Sequence, residues 1–228
     1  MKDIVVVGTG DFSDLVADTI ENDNHRNLAA YVVDAQYLTE PTYRGKPVYA
    51  FEDVEKIFDK DKYSFVIGFT GKKMYTQRLE KYNKLKEMGY ELENIIHSTA
   101  SISKTSTMGD GNIILQFAIV ANRGQVGNCN VICPKAYVNH DVIVGNANYL
   151  APGFSTTGFS QIGNHCFCGV HSAISNKVKV ADFTFIGGGL FISNDTKEYD
   201  VYVPPRREAL KRIKSTSFQI FSSRRTNQ

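Results

Sequence analysis

The sequence predicts two joined folds: a small α/β domain over residues 1–94, then a parallel β-helix over 95–204, with a C-terminal helix and tail over 205–228. Three observations predict it. A large aliphatic residue recurs at nearly every sixth position from Ile96 to Ile192, with no insertion breaking the frame. The first apolar strand runs into Gly8-Thr9-Gly10 and a helix-like stretch. A second strand closes on an acidic residue, Asp34.

The period decides the larger fold, because missing an internal repeat misreads everything built on it. Counting in sixes from Ile96 to Ile192 visits seventeen positions, and fifteen carry Ile, Val, Leu or Met. The exceptions, Thr156 and Cys168, are small. Amphipathic helices repeat at 3.6 residues and strands at 2, so neither yields a strict six. The pattern fits a triangular coil with one hexad per side, each inward residue stacking on its counterpart 18 positions on. Position two is often glycine (Gly109, Gly127, Gly145, Gly163, Gly169, Gly187), expected to relieve backbone strain at the corners. Position five is usually small, where a bulky side chain would crowd the turn.

The N-terminal segment follows a different pattern. Ile4–Val7 and Leu28–Val33 read as buried strands, Val48–Tyr49 and Tyr63–Ile67 as shorter ones, and Lys72–Met88 as a helix stopping at Gly89. Alternating strands and helices predict a parallel sheet, here a Rossmann-like half domain too short for a full dinucleotide fold. The Gly8-x-Gly10 turn allows close backbone approach to a phosphate, with the following helix N-terminus offering amide donors. Asp34 suits ribose or base contacts. Ser13 stands where a dinucleotide fingerprint has its third glycine, and a turn without ligand is the alternative for these glycines.

A net charge of +2 argues against nucleic acid as the main partner, and the basic pairs Arg206–Arg207, Lys211–Arg212 and Arg224–Arg225 read as a solvated segment. No apolar run approaches the roughly 18 residues of a membrane span, and the N-terminus reads as a strand rather than a signal peptide. The expectation is a soluble, cytoplasmic protein. Cys129/Cys133 and Cys166/Cys168 are separated by three residues and one, unlike zinc-binding CxxC pairs, so no metal is expected.

Val138-Asn139-His140-Asp141-Val142-Ile143-Val144-Gly145, set in hexapeptide repeats behind a small nucleotide-binding domain, resembles the bacterial nucleotide-sugar N-acetyltransferases. These include enzymes acting on UDP- or dTDP-4-amino-4,6-dideoxy sugars and the related sialic acid O-acetyltransferases. The resemblance runs from Ile4 to about Arg207. It implies a left-handed coil, acetyl-CoA as co-substrate, a homotrimer, and a role in surface glycan biosynthesis. It also implies His140 as general base, with Asp141 holding the ring's tautomer. Gly158, 18 residues after His140, would bind the thioester carbonyl through its amide, and Val170 and Gly188 would contact acetyl-CoA in a groove between subunits. The nucleotide sugar would lie at Gly8, Gly10, Asp11, Phe12 and Asp34. A neutral-pH base suits an amine that must be unprotonated to attack a thioester.

Departures fall at the acceptor end. Phe12 replaces a family histidine, Asp11 a glycine, Tyr149 a second histidine nine residues after His140, and Pro205 an alanine in the terminal Val203-Pro204-Pro205-Arg206 segment. O-acetylation of a sugar therefore stands as the alternative activity, and a non-catalytic hexapeptide scaffold as the alternative class.

Overall fold

The computed structural model describes residues 1–71 and 73–205. The C-terminal helix and tail beyond residue 205, with the three basic pairs, lie outside the described residues, as does Lys72.

β1 (Asp3–Val7), β2 (Leu28–Val33), β3 (Thr42–Tyr43), β4 (Lys46–Ala50) and β5 (Tyr63–Ile67) form one sheet in the order β3-β4-β2-β1-β5. All pairings are parallel except β3 with β4. That edge hairpin, turning at Arg44-Gly45, was not expected from the strand signals. Both faces of β1 are covered, which is why it reads as an unbroken apolar run. Ile4 and Val6 pack with Val16, Ala17 and Ile20; Val5 and Val7 pack with Phe51, Val54, Phe58 and Leu85. The first group belongs to α1 (Asp11–Asp18) and its π-helical continuation Thr19–Asp23. The second joins α2 (Val54–Ile57) and α3 (Thr76–Glu87).

From Ile95 the chain winds through two-residue strands that assemble into three parallel sheets, the faces of a triangular coil. The first face runs from Ile95–Ile96 through Tyr149–Leu150 to Val201–Tyr202. The second runs from Ser101–Ile102 through Tyr137–Val138 to Phe191–Ile192, and the third from Thr107–Met108 to Lys179–Val180. Strands pair at an 18-residue offset, Val131 with Tyr149 and Tyr149 with Phe167, until the last pairing of the first face, Phe185 with Val201, where the offset is 16. Each inward aliphatic residue of the hexad joins one core, from Ile114 to Ile192, with Thr156 and Cys168 buried beside it.

The corners correct the expectation about glycine. The strained position is the fourth of the hexad; glycine holds it at Gly111, Gly153 and Gly189, but between the second and third faces Arg123, Asp141, Phe159 and Lys177 fill it, all with φ between 57° and 63°. Each such residue costs roughly 1 kcal/mol, offset by its backbone N–H donating to the coil below, as Asp141 does to the Asn122 carbonyl at 3.1 Å. The position-two glycines serve approach between coils instead. A Cβ on Gly127 would lie 2.6 Å from the Gly145 carbonyl oxygen.

The α/β domain packs along the first face. Ile95, Ile113 and Leu115 belong to its hydrophobic core, and α3 lies along the corner between the third and first faces. There Tyr82 hydrogen-bonds Asp110, buried Arg78 lies against Cys129, and Tyr75 stacks on Tyr149 at 5.5 Å. Among the described residues, no helix is long and apolar enough to cross a membrane.

Candidate active site

His140 and Asp141 sit at the corner where the second face turns into the third. His140 is exposed and Asp141 half-buried. Asp141 Oδ2 lies 2.8 Å from His140 Nδ1. One coil below, Arg123 grips the same carboxylate with both arms, Nε to Oδ1 at 2.6 Å and Nη2 to Oδ2 at 2.7 Å. The Arg123 guanidinium, then the His140 ring, hold the Asp141 carboxyl down at about 2. A carboxylate only accepts, so Nδ1 must carry the shared proton and Nε2 is left with its lone pair.

The backbone around His140 is held by side chains as well as by the ladder. Between the strands Tyr137–Val138 and Ser155–Thr156 only Tyr137 and Ser155 pair. The Asn139 N–H donates instead to the buried Thr156 hydroxyl at 2.8 Å. Asn139 Oδ1 then accepts the His140 N–H at 2.7 Å and the Tyr137 hydroxyl at 3.2 Å.

Directly above the imidazole stands Gly158. A Cβ there would lie 2.7 Å from Nε2, so the ring occupies space that any other residue would need. The Gly158 carbonyl is taken up by the next coil, accepting from Asn176 Nδ2 at 2.7 Å. Among the described residues, no acceptor meets the Gly158 N–H. A proton acceptor and a free amide donor therefore stand one coil apart, the two elements that acyl transfer to an amine or hydroxyl requires. Phe159 sets its ring edge-on to the imidazole at 5.4 Å.

Val170 and Gly188 do not join this station. They lie beside His171 and Gly189 at the other edge of the second face, where it meets the first. Val170 is 47% exposed, and a Cβ on Gly188 would come within 3.0 Å of the Val170 carbonyl oxygen.

The α/β domain holds a cleft of about 740 Å³ at the carboxyl ends of its strands. Gly8, Thr9 and Asp34 line it, together with Phe51, Glu52, Phe69 and the α3 residues Gln77, Lys81 and Lys84. Asp34 is ion-paired with Lys81, whose Nζ lies 3.8 Å from the Phe51 ring centroid. Gly10, Asp11 and Phe12 are not in the lining. The Gly10 N–H donates to the Tyr43 hydroxyl at 3.1 Å, Asp11 faces solvent, and Phe12 packs among Ile4, Val6 and Val16. The contribution of α3 was missed because its lysines read only as helical surface.

The cysteines are all buried. Burial pushes the Cys133 thiol up to about 11 and the Cys166 thiol up to about 12, so both stay protonated at neutral pH.

No protein-family model matches the chain. Solved structures do. PerB from Caulobacter crescentus, in complex with CoA and GDP-perosamine, aligns over 89% of this chain and 92% of its own, with TM-score 0.76 and 21% identity. The acetyltransferase domain of PglB from Neisseria gonorrhoeae aligns over 88% and 96%, with TM-score 0.79 and 18% identity. WeeI from Acinetobacter baumannii covers 84% and 96%, at TM-score 0.65 and 18% identity. The chain therefore has the fold of these proteins, an α/β domain followed by a left-handed parallel β-helix.

Proposed function

We propose that this protein transfers an acetyl group from acetyl-CoA to the amine of a nucleotide-linked 4-amino-4,6-dideoxy sugar. One observation carries the reading: the His140–Asp141 pair, its Nε2 open beneath the free amide of Gly158. Nε2 takes the proton that the amine loses as its nitrogen attacks the thioester carbonyl. The Gly158 N–H donates to the oxygen that gains charge, the acyl–sulfur bond breaks, and CoA leaves as the thiol after receiving a proton. Asp141 stabilises the imidazolium through Nδ1. No nucleophilic side chain is required, so transfer is direct.

The acceptor's nucleotide fits the cleft bounded by Gly8, Asp34 and α3, at the strand ends where open α/β sheets bind ligands. PerB carries CoA and GDP-perosamine, and the PglB domain has been solved with acetyl coenzyme A. These neighbours support the choice of both substrates.

A homotrimer reconciles the two edges of the second face. His140 and Gly158 line one edge, Val170 and Gly188 the other, so acetyl-CoA can touch both sets only where one chain's edge meets the next chain's. Exposed apolar side chains mark this face and its corners: Phe117, Ile119, Phe159, Val170 and Phe191. Such a patch is what a heterologous interface around a threefold axis would cover.

Acetyl transfer from acetyl-CoA to GDP-perosamine and to UDP- and dTDP-linked 4-amino sugars, measured for the natural chain and His140→Ala, tests the reading. Loss of roughly 100- to 10,000-fold in kcat is expected on removing the base. Undiminished turnover by His140→Ala would eliminate His140 as the base. Absence of turnover by the natural chain on every amino sugar, with turnover on hydroxyl acceptors, would replace N- by O-acetylation.

A further inference from the structure

We infer that Arg123 is a positioning residue for His140: its two-armed grip fixes Asp141 in the orientation that keeps the proton on Nδ1 and leaves Nε2 free to act as base. The inference rests on the reading of His140 as general base given above.

Asp141 has two oxygens and two partners. Arg123 Nε takes Oδ1, while Oδ2 is shared between Arg123 Nη2 and His140 Nδ1. A planar fork matched to a planar carboxylate fixes both the rotation and the tilt of that group, which a single donor cannot do. Both anchors are themselves fixed. The Arg123 N–H donates to Thr105 Oγ1 at 3.2 Å, and the Asp141 N–H to the Asn122 carbonyl at 3.1 Å, immediately before Arg123. The 18-residue register therefore sets the distance between the guanidinium and the carboxylate.

Stability does not account for the arrangement. The Arg123 side chain is 63% exposed, and exposed ion pairs contribute little to folding. Orientation of the carboxylate is what the fork adds. The surroundings of the ring leave few other charges to do this. Lys177 stands at the same corner two coils above Asp141, while Asn139, Gly158, Phe159 and Asn176 are neutral.

Charge and geometry predict opposite things for basicity and rate. Arg123 compensates the Asp141 anion, so removing it leaves the imidazolium better stabilised and moves the acid limb of kcat/KM to higher pH. The same removal lets the carboxylate rotate, so Nδ1 loses its fixed acceptor and the neutral ring divides between tautomers.

The test uses the full chain and two readouts, one independent of activity. Long-range ¹H–¹⁵N spectra of the imidazoles, with His140 assigned by its loss in His140→Gln, report the tautomer in the natural chain, Arg123→Ala and Arg123→Lys. The natural chain is expected to show the Nδ1–H form alone, Arg123→Ala a mixture, and Arg123→Lys an intermediate state. With acetyl-CoA and GDP-perosamine, Arg123→Ala is expected to lose roughly 10- to 100-fold in kcat with little change in KM, and its melting temperature to stay near that of the natural chain. An unchanged tautomer and acid limb in Arg123→Ala overturns the inference, as does full equivalence of Arg123→Lys. A tautomer shift in a protein that acetylates no amino sugar supports the coupling while removing the proposed activity.

Discussion

Thr156 interrupts a column of inward aliphatic residues at the coil directly above His140. Its hydroxyl is the acceptor for the Asn139 N–H, so the ladder is diverted at the residue that precedes His140. Replacing it by valine keeps the shape but leaves that N–H without its partner, at a cost of about 1–3 kcal/mol for a buried donor. Thr156→Val should therefore lower both the denaturant midpoint and kcat, whereas a purely structural hydroxyl would affect the midpoint alone. Gly158→Ala should separate the two. Its Cβ would stand 2.7 Å from Nε2 and displace the exposed imidazole, so kcat should fall roughly 100-fold while the midpoint barely moves. Asp141 adds a pH signature. Its folded value of about 2 lies below the ordinary 3.8, so its stabilising contribution is complete above about pH 4 and is lost as pH falls through 2. The acid limb of kcat/KM above pH 4 should consequently contain no proton from Asp141; a limb of slope two there would show that Asp141 also titrates.

At the scale of elements, the six-residue period made the coil legible because inward positions tolerate only apolar or small residues. The corners were not legible, since Arg, Asp, Phe and Lys share the left-handed fourth position with Gly111, Gly153 and Gly189 and no single residue type marks it. The asparagine ladders were also overlooked, although Asn112, Asn130 and Asn148 recur at the same 18-residue offset. Polar residues at corners read as solvent-facing, yet these three are fully buried. Asn130 Nδ2 donates to the Gly145 carbonyl at 2.9 Å and its Oδ1 accepts the Asn148 N–H at 2.9 Å. Asn130→Leu should thus destabilise the coil by on the order of 3 kcal/mol, read as a lowered urea midpoint, because several buried partners lose their bonds together. In the α/β domain, the strand ends and Asp34 were readable from local pattern. Phe12 was not, because local sequence does not say which face of the sheet its helix covers.

At the scale of the molecule, the register that unites His140, Asp141 and Gly158 also separates them from Val170 and Gly188, which lie across the second face. If acetyl-CoA bridges two chains, each site takes its base from one chain and its opposite wall from the next. Two variants, each inactive alone, should then complement one another. His140→Ala removes the base, and Val170→Glu places a negative charge at an exposed wall position facing an anionic co-substrate. In a one-to-one co-expressed mixture, a site is intact when its base edge comes from the Val170→Glu chain and its wall from the His140→Ala chain. Random assembly makes that combination about one site in four, so roughly a quarter of natural activity should return. A site contained within one chain would recover nothing, because every chain in the mixture carries one defect. Distinct affinity tags on the two variants, isolated in tandem, verify that chains have mixed. Restored activity in that doubly tagged fraction then requires that neighbouring chains complete each other's sites.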